Sequence, residues 1–208
     1  MRTLPTPTPT GVDYPPAPWD MTGQLWLSLF RVRPGDHPDR EPGVYGAALV
    51  SYEEPSPLTY GELLVATTAH KAVTITDIWV DSVASMAGGR ELWAIPKDLC
   101  DFDLRVEHKG PITRTRWSTS VDGRPIASAW FTDVSRAAPR VPFKGQTWQR
   151  REEGPDAGAE VTASLTGSSR SLPCRGTWSF AADGPLGWLH GKRPLASFRM
   201  ADFQMSFG

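Results

Sequence analysis

Polar and apolar residues alternate with a period of two through most of this chain, in short stretches separated by turn residues, a pattern that predicts strands rather than helices. Leu25, Leu27 and Leu29 set against Trp26, Ser28 and Phe30 predict a strand over 24–32 that is apolar on both faces and ends at Pro34-Gly35-Asp36. Further strands are predicted over 44–52 and 58–67, joined by the polar, proline-containing 53–57, and over the β-branched run 72–80. Residues 81–87 then change to small, helix-tolerant types. Asp81 is the expected N-cap and Gly88-Gly89 the expected stop of one short helix. Beyond Pro96, Phe102, Leu104 and Val106 alternate with charged residues. The predicted strands 112–121 and 126–134 flank Asp122-Gly123, a dipeptide suited to the positive φ angles of a tight hairpin. The charged segment 150–159 reads as a loop, and 160–166, 177–181 and 198–207 bring the total to nine or ten strands.

The expected fold is therefore mainly β (α+β), an antiparallel meander closing into a barrel-like sheet with one or two short helices, because closure removes the open edges of a meander. Residues 1–20, with Pro5, Pro7, Pro9, Pro15, Pro16 and Pro18, predict an extended arm pinned by Tyr14 and Trp19; 21–208 form one expected domain.

Composition narrows the function classes. The 22 Lys+Arg against 23 Asp+Glu leave a formal charge of −1, which lacks the basic footprint of a nucleic-acid or membrane-surface binder. No apolar run is long enough for a membrane-spanning helix and the start has no apolar leader, so the expected location is the cytoplasm. Cys100 and Cys174 are expected to be reduced, and His37, His70, His108 and His190 show no ligand spacing, so no metal or other cofactor is expected. Nine tryptophans supply core mass and candidate pocket wall.

One segment suggests chemistry: Gly88-Gly89-Arg90-Glu91-Leu92-Trp93-Ala94-Ile95-Pro96-Lys97. Only five lysines stand against 17 arginines. A lysine carried inside behind an apolar run is pushed towards the free amine by desolvation, and a free amine attacks carbonyls. Bringing its pKa from about 10.4 to near 7 takes roughly 4–5 kcal/mol of ammonium destabilisation. By patterning alone, Lys97 also reads as a surface lysine after a turn proline, Glu62 as a wet strand residue, and Arg90 with Glu91 as a structural ion pair.

The segment resembles the acetoacetate decarboxylase family, in which a Gly-Arg-Glu is followed by an apolar spacer and Pro-Lys. The likeness extends over Val73 to Asp81, Gly89-Arg90-Glu91 and Pro96-Lys97 to Leu99, with Tyr60-Gly61-Glu62 and Pro185-Leu186 to Ala201-Asp202-Phe203 as further matches. The resemblance implies a barrel-like β fold with an internal pocket, homo-oligomers, and a small keto-acid or other carbonyl substrate. It implies catalytic roles for Lys97, as the Schiff-base lysine, and for Glu62. Trp79 and Ile95 match apolar pocket positions; Trp93 and Arg90 are further candidates for the site. Three positions depart from the family. Asp98 replaces a second lysine, Ala47 a second pocket glutamate, and no arginine stands near Gly23 to receive a substrate carboxylate; Arg31, Arg33, Arg114 and Arg116 are the substitutes considered, although alternating arginines usually form a wet strand face. The expected activity is a Schiff-base lyase, running decarboxylation or an imine-mediated condensation or dehydration. The alternatives are a non-catalytic binder that keeps the pocket, and a structural subunit with a filled barrel.

Overall fold

The computed structural model describes residue 7, residues 11–152 and residues 154–208; residues 1–6 and 8–10 of the predicted arm lie outside them. The described residues form twelve strands and one α-helix: β1 (Trp19–Val32), β2 (Gly43–Glu53), β3 (Tyr60–Ala69), β4 (Ala72–Val80), α1 (Val83–Trp93), β5 (Lys97–Leu99), β6 (Asp101–Lys109), β7 (Ile112–Val121), β8 (Arg124–Asp133), β9 (Arg140–Arg150), β10 (Glu160–Pro173), β11 (Arg175–Phe180) and β12 (Ala196–Phe207). The barrel runs β3-β2-β1-β12-β10-β9-β4 and closes by pairing β4 with β3, while β5 extends β4 in parallel. A separate four-stranded sheet, β11-β8-β7-β6, covers one side of it. The single meander expected from the sequence is thus divided into two sheets.

The division explains why β1 is apolar on both faces. Trp26, Phe30 and Val32 point outward into a core shared with Trp117, Ile126, Phe131 and Trp178 of the second sheet. Trp19 and Met21 point inward, with Leu25 packed against the same inner cluster. Each fully buried aromatic or aliphatic side chain in such a core contributes roughly 1.5–3 kcal/mol. Asp122 and Gly123 take φ of 49° and 72° and make the predicted hairpin turn.

Two expectations are corrected. The helix does not start at Asp81 or stop at Gly88-Gly89. Ser82 is the N-cap, its side chain accepting from the Ser85 N–H, and α1 continues through both glycines to Trp93, ending at a left-handed Ala94 with φ of 53°. Asp81 instead accepts the Gly61 N–H at 2.7 Å. The pattern also assigns no strand to 140–150, where β9 stands. Most of β9 is exposed and Pro142 and Gly145 interrupt the alternation, so only its pairing with β10 and closure against β4 make it a strand.

Candidate active site

Strand register brings the two expected catalytic groups together. Glu62 pairs with Val80 across β3 and β4, and Ile78 pairs with Lys97 across β4 and β5, so Glu62 and Lys97 reach the barrel interior from either side of β4. Both are buried, Lys97 at 4% exposure, and Nζ lies 3.1 Å from Glu62 Oε2. Nζ also donates to Ser85 Oγ at 2.9 Å and Tyr60 Oη at 3.3 Å, all three protons of the ammonium thereby finding acceptors. Glu62 Oε1 in turn accepts from Tyr52 Oη at 3.1 Å.

The approach to this position is built by the segment singled out in the sequence. Helix α1 passes over the lysine stem at Gly89, and Arg90 donates from Nε to the Lys97 carbonyl oxygen at 2.6 Å, fixing the backbone of β5. Arg151 holds the helix end by donating to the carbonyl oxygens of Arg90 and Glu91 at 3.0 and 2.9 Å. Asp98 is turned by strand alternation to the other side of β5 from Lys97, and its Oδ1 accepts the Leu99 N–H at 2.9 Å.

Burial alone has not produced the free amine that the sequence argument expects. Desolvation does push the Lys97 pKa down. Tyr60 and Glu62 push it up and prevail, so it stands above the ordinary lysine value and the resting group is an ammonium. Burial, with the Glu62 charge beside it, also holds the Tyr52 hydroxyl well above the usual tyrosine range, and burial raises Tyr60.

Lys97 opens on a cavity of about 360 Å³ inside the barrel. Glu62, Tyr52 and Tyr60 surround Nζ at one end, and Trp93 and Ile95 form the wall where the sequence reading put them. Trp79 faces the opposite way, into the core between the sheets, and Arg90 lies outside the cavity wall, its contact being with the lysine backbone. Ala47 is buried in the inter-sheet core as well. Arg31, Arg33, Arg114 and Arg116 are all exposed, and no arginine is among the described residues that line the cavity. Tyr52 and Ser85 were not anticipated; the only signal for Tyr52 is its directly cross-strand position opposite Tyr60 of the Tyr-Gly-Glu element.

Among the described residues no cluster of His, Cys, Asp and Glu has the makings of a metal site, both cysteines are unbonded, and no helix is long and apolar enough to cross a membrane.

Comparison with solved structures finds the same fold. The enduracididine biosynthesis enzyme MppR complexed with pyruvate superposes with a TM-score of 0.65 at 18% identity, covering 99% of this chain and 96% of its own. The acetoacetate decarboxylase of Legionella pneumophila subsp. pneumophila str. Philadelphia 1 gives 0.65 at 16% identity, with 97% and 89% covered. An acetoacetate decarboxylase-like enzyme from Sphingomonas wittichii RW1 gives 0.55 at 15%, with 94% and 91% covered. No curated protein sequence matches the chain. The acetoacetate decarboxylase family matches residues 37–183, more than half of the sequence, and the chain belongs to that family.

Proposed function

We propose that the protein is a Schiff-base-forming lyase acting on a carbonyl compound through Lys97, with Glu62 moving the protons. The observation that carries this reading is a buried lysine Nζ 3.1 Å from a buried carboxylate at the end of an internal cavity. Glu62 takes a proton from the ammonium as nitrogen attacks the carbonyl carbon, then returns it to the carbinolamine hydroxyl, which leaves as water. Ammonium and ketone thereby become protonated imine and water, with no net proton released. In a β-keto acid the bond to the carboxylate then breaks, CO2 departs and the electron pair becomes an enamine. In a condensation the α-proton goes to Glu62 and the enamine carbon attacks a second carbonyl. Protonation of the enamine, or loss of water from the condensed product, followed by hydrolysis of the imine frees the lysine. Homo-oligomerisation and a cytoplasmic location belong to the same proposal.

Borohydride reduction in the presence of a panel of keto acids, ketones and aldehydes tests this. A reduced adduct on Lys97, located by peptide mass spectrometry, is expected; no adduct with any of them overturns the reading.

One observation favours a second reading, a binding protein that retains the pocket without the chemistry: the lysine is held as an ammonium by Glu62 and Tyr60. Labelling of Lys97 as a function of pH, with and without a carbonyl ligand, separates the two. An enzyme lowers the labelling midpoint when the ligand enters, and a binder leaves it where it is.

A further inference from the structure

We infer that the carbonyl substrate is neutral and carries a substantial hydrocarbon group, and that the imine serves condensation or dehydration in preference to decarboxylation; this rests on the Lys97 reading above. Two independent features of the cavity carry it. The first is charge arithmetic. Once the imine forms, its positive charge and the Glu62 carboxylate cancel. A substrate carboxylate would be a third, uncompensated charge in a buried apolar space, a costly arrangement. The remaining cation among the described lining residues is Lys144, which is exposed, and no arginine is among them. A neutral ketone or aldehyde leaves the balance intact.

The second feature is size and texture. About 360 Å³ lies in the range of sites that enclose drug-sized ligands, far beyond a three- or four-carbon acid. Away from the polar end at Lys97 the wall is almost wholly hydrocarbon and thioether. Met21, Met200 and Met205 line it, three of the five methionines in the sequence, together with Phe143, Leu165 and Phe203. Flexible, polarizable methionines accommodate apolar groups of varied shape, so the wall suits a chain or ring system more than one rigid small acid. The cavity reaches the surface at Val73, Lys144 and Gln146, all exposed, which allows a long substrate to enter tail or head first without burying a polar terminus.

The test compares 2-nonanone, acetone and acetoacetate in borohydride trapping on the whole protein, each corrected by its reaction with N-acetyl-lysine. The two methyl ketones present the same reacting carbonyl, so their ratio reads the tail. Half-labelling of Lys97 by 2-nonanone is expected at a concentration at least about tenfold below that for either small compound, since each buried methylene adds to binding. Equal or better labelling by acetoacetate overturns the inference while leaving the imine reading standing. Binding of 2-nonanol, which cannot form an imine, is measured in parallel by quenching of tryptophan fluorescence. Tight nonanol binding with no ketone adduct supports the apolar ligand class and removes the imine reading. Nonanol binding no tighter than that of 2-propanol overturns the ligand class.

Discussion

Gly89 lies directly against the stem of Lys97: a Cβ placed on the glycine would fall 2.7 Å from Cδ and 2.9 Å from Cε of the lysine. The helix approaches the lysine closely because this position carries no side chain. Gly89→Ala raises intrinsic helix propensity by up to about 1 kcal/mol, yet the added methyl pushes the stem away from Ser85 and Glu62. A net loss of stability, because the displaced ammonium sits farther from its buried carboxylate, and trapping of carbonyls at Lys97 reduced tenfold or more are the expected results. Urea unfolding and quantitative adduct mass spectrometry measure the two effects separately.

Glu62 is the carboxylate partner of the buried ammonium, and removing one member of such a pair leaves the other charge uncompensated. Glu62→Gln is expected to cost about 3–5 kcal/mol at neutral pH while the lysine stays charged. The variant relieves this by releasing the lysine proton, so the midpoint for labelling Lys97 moves to lower pH. An unchanged midpoint would remove Glu62 from the account of why the lysine pKa is raised.

Three groups around the cavity, Lys97, Tyr52 and Tyr60, all bind their protons more tightly in the folded chain than the ordinary values of 10.5 for lysine and 10.0 for tyrosine. Above those ordinary values the unfolded chain sheds protons that the native one retains, so stability falls as pH rises. The contribution is complete below about pH 10 and drains away through the folded pKa of each group. Tyr52→Phe removes one of the three. It costs about 1.5–3 kcal/mol at neutral pH through the lost bond to the Glu62 carboxylate, and the alkaline decline becomes shallower. Denaturant titrations between neutral and strongly alkaline pH follow this.

The family resemblance sets Asp98 where a second lysine is expected, and the strand turns it away from Nζ. Asp98→Asn is accordingly expected to move the pH midpoint of Lys97 labelling by less than about half a unit. A larger shift would mean that the carboxylate acts on the lysine through the sheet.

Local pattern was enough to read β1, β4 and the Asp122-Gly123 hairpin, because each is written in alternation or in a two-residue turn motif; the choice of Lys97 and Glu62 as candidate site residues rests on the family resemblance, since patterning alone also allows a surface lysine and a wet strand residue. What escaped depends on distant parts of the chain. Gly88-Gly89 has the local character of a helix stop, but the close approach of Trp19 and Lys97 to those two positions makes glycine suitable inside the helix. Tyr52 and Ser85 come to the lysine through register and helix placement, which no spacing in the sequence announces. Trp79 matched the family pattern yet faces the inter-sheet core, since a one-residue change of parity along a strand exchanges its two sides. Strand β9 owes its conformation to its neighbours.

The barrel is fastened unevenly. Between β4 and β9 the backbone register is a single parallel pair, Val73 with Thr147, and side chains add the rest: Thr74 Oγ1 donates to the Trp148 carbonyl at 3.1 Å, and the buried Gln149 amide accepts the Ile75 N–H and donates to the Ile75 carbonyl, both at 3.0 Å. Side chains thus serve as a clasp where every other joint has a ladder, and this joint borders the cavity. Amide protons of 73–75 and 147–149 should therefore exchange with deuterated solvent ahead of those shared by β1 and β12, and Gln149→Leu should widen the gap, making this line the hem along which the barrel first comes undone.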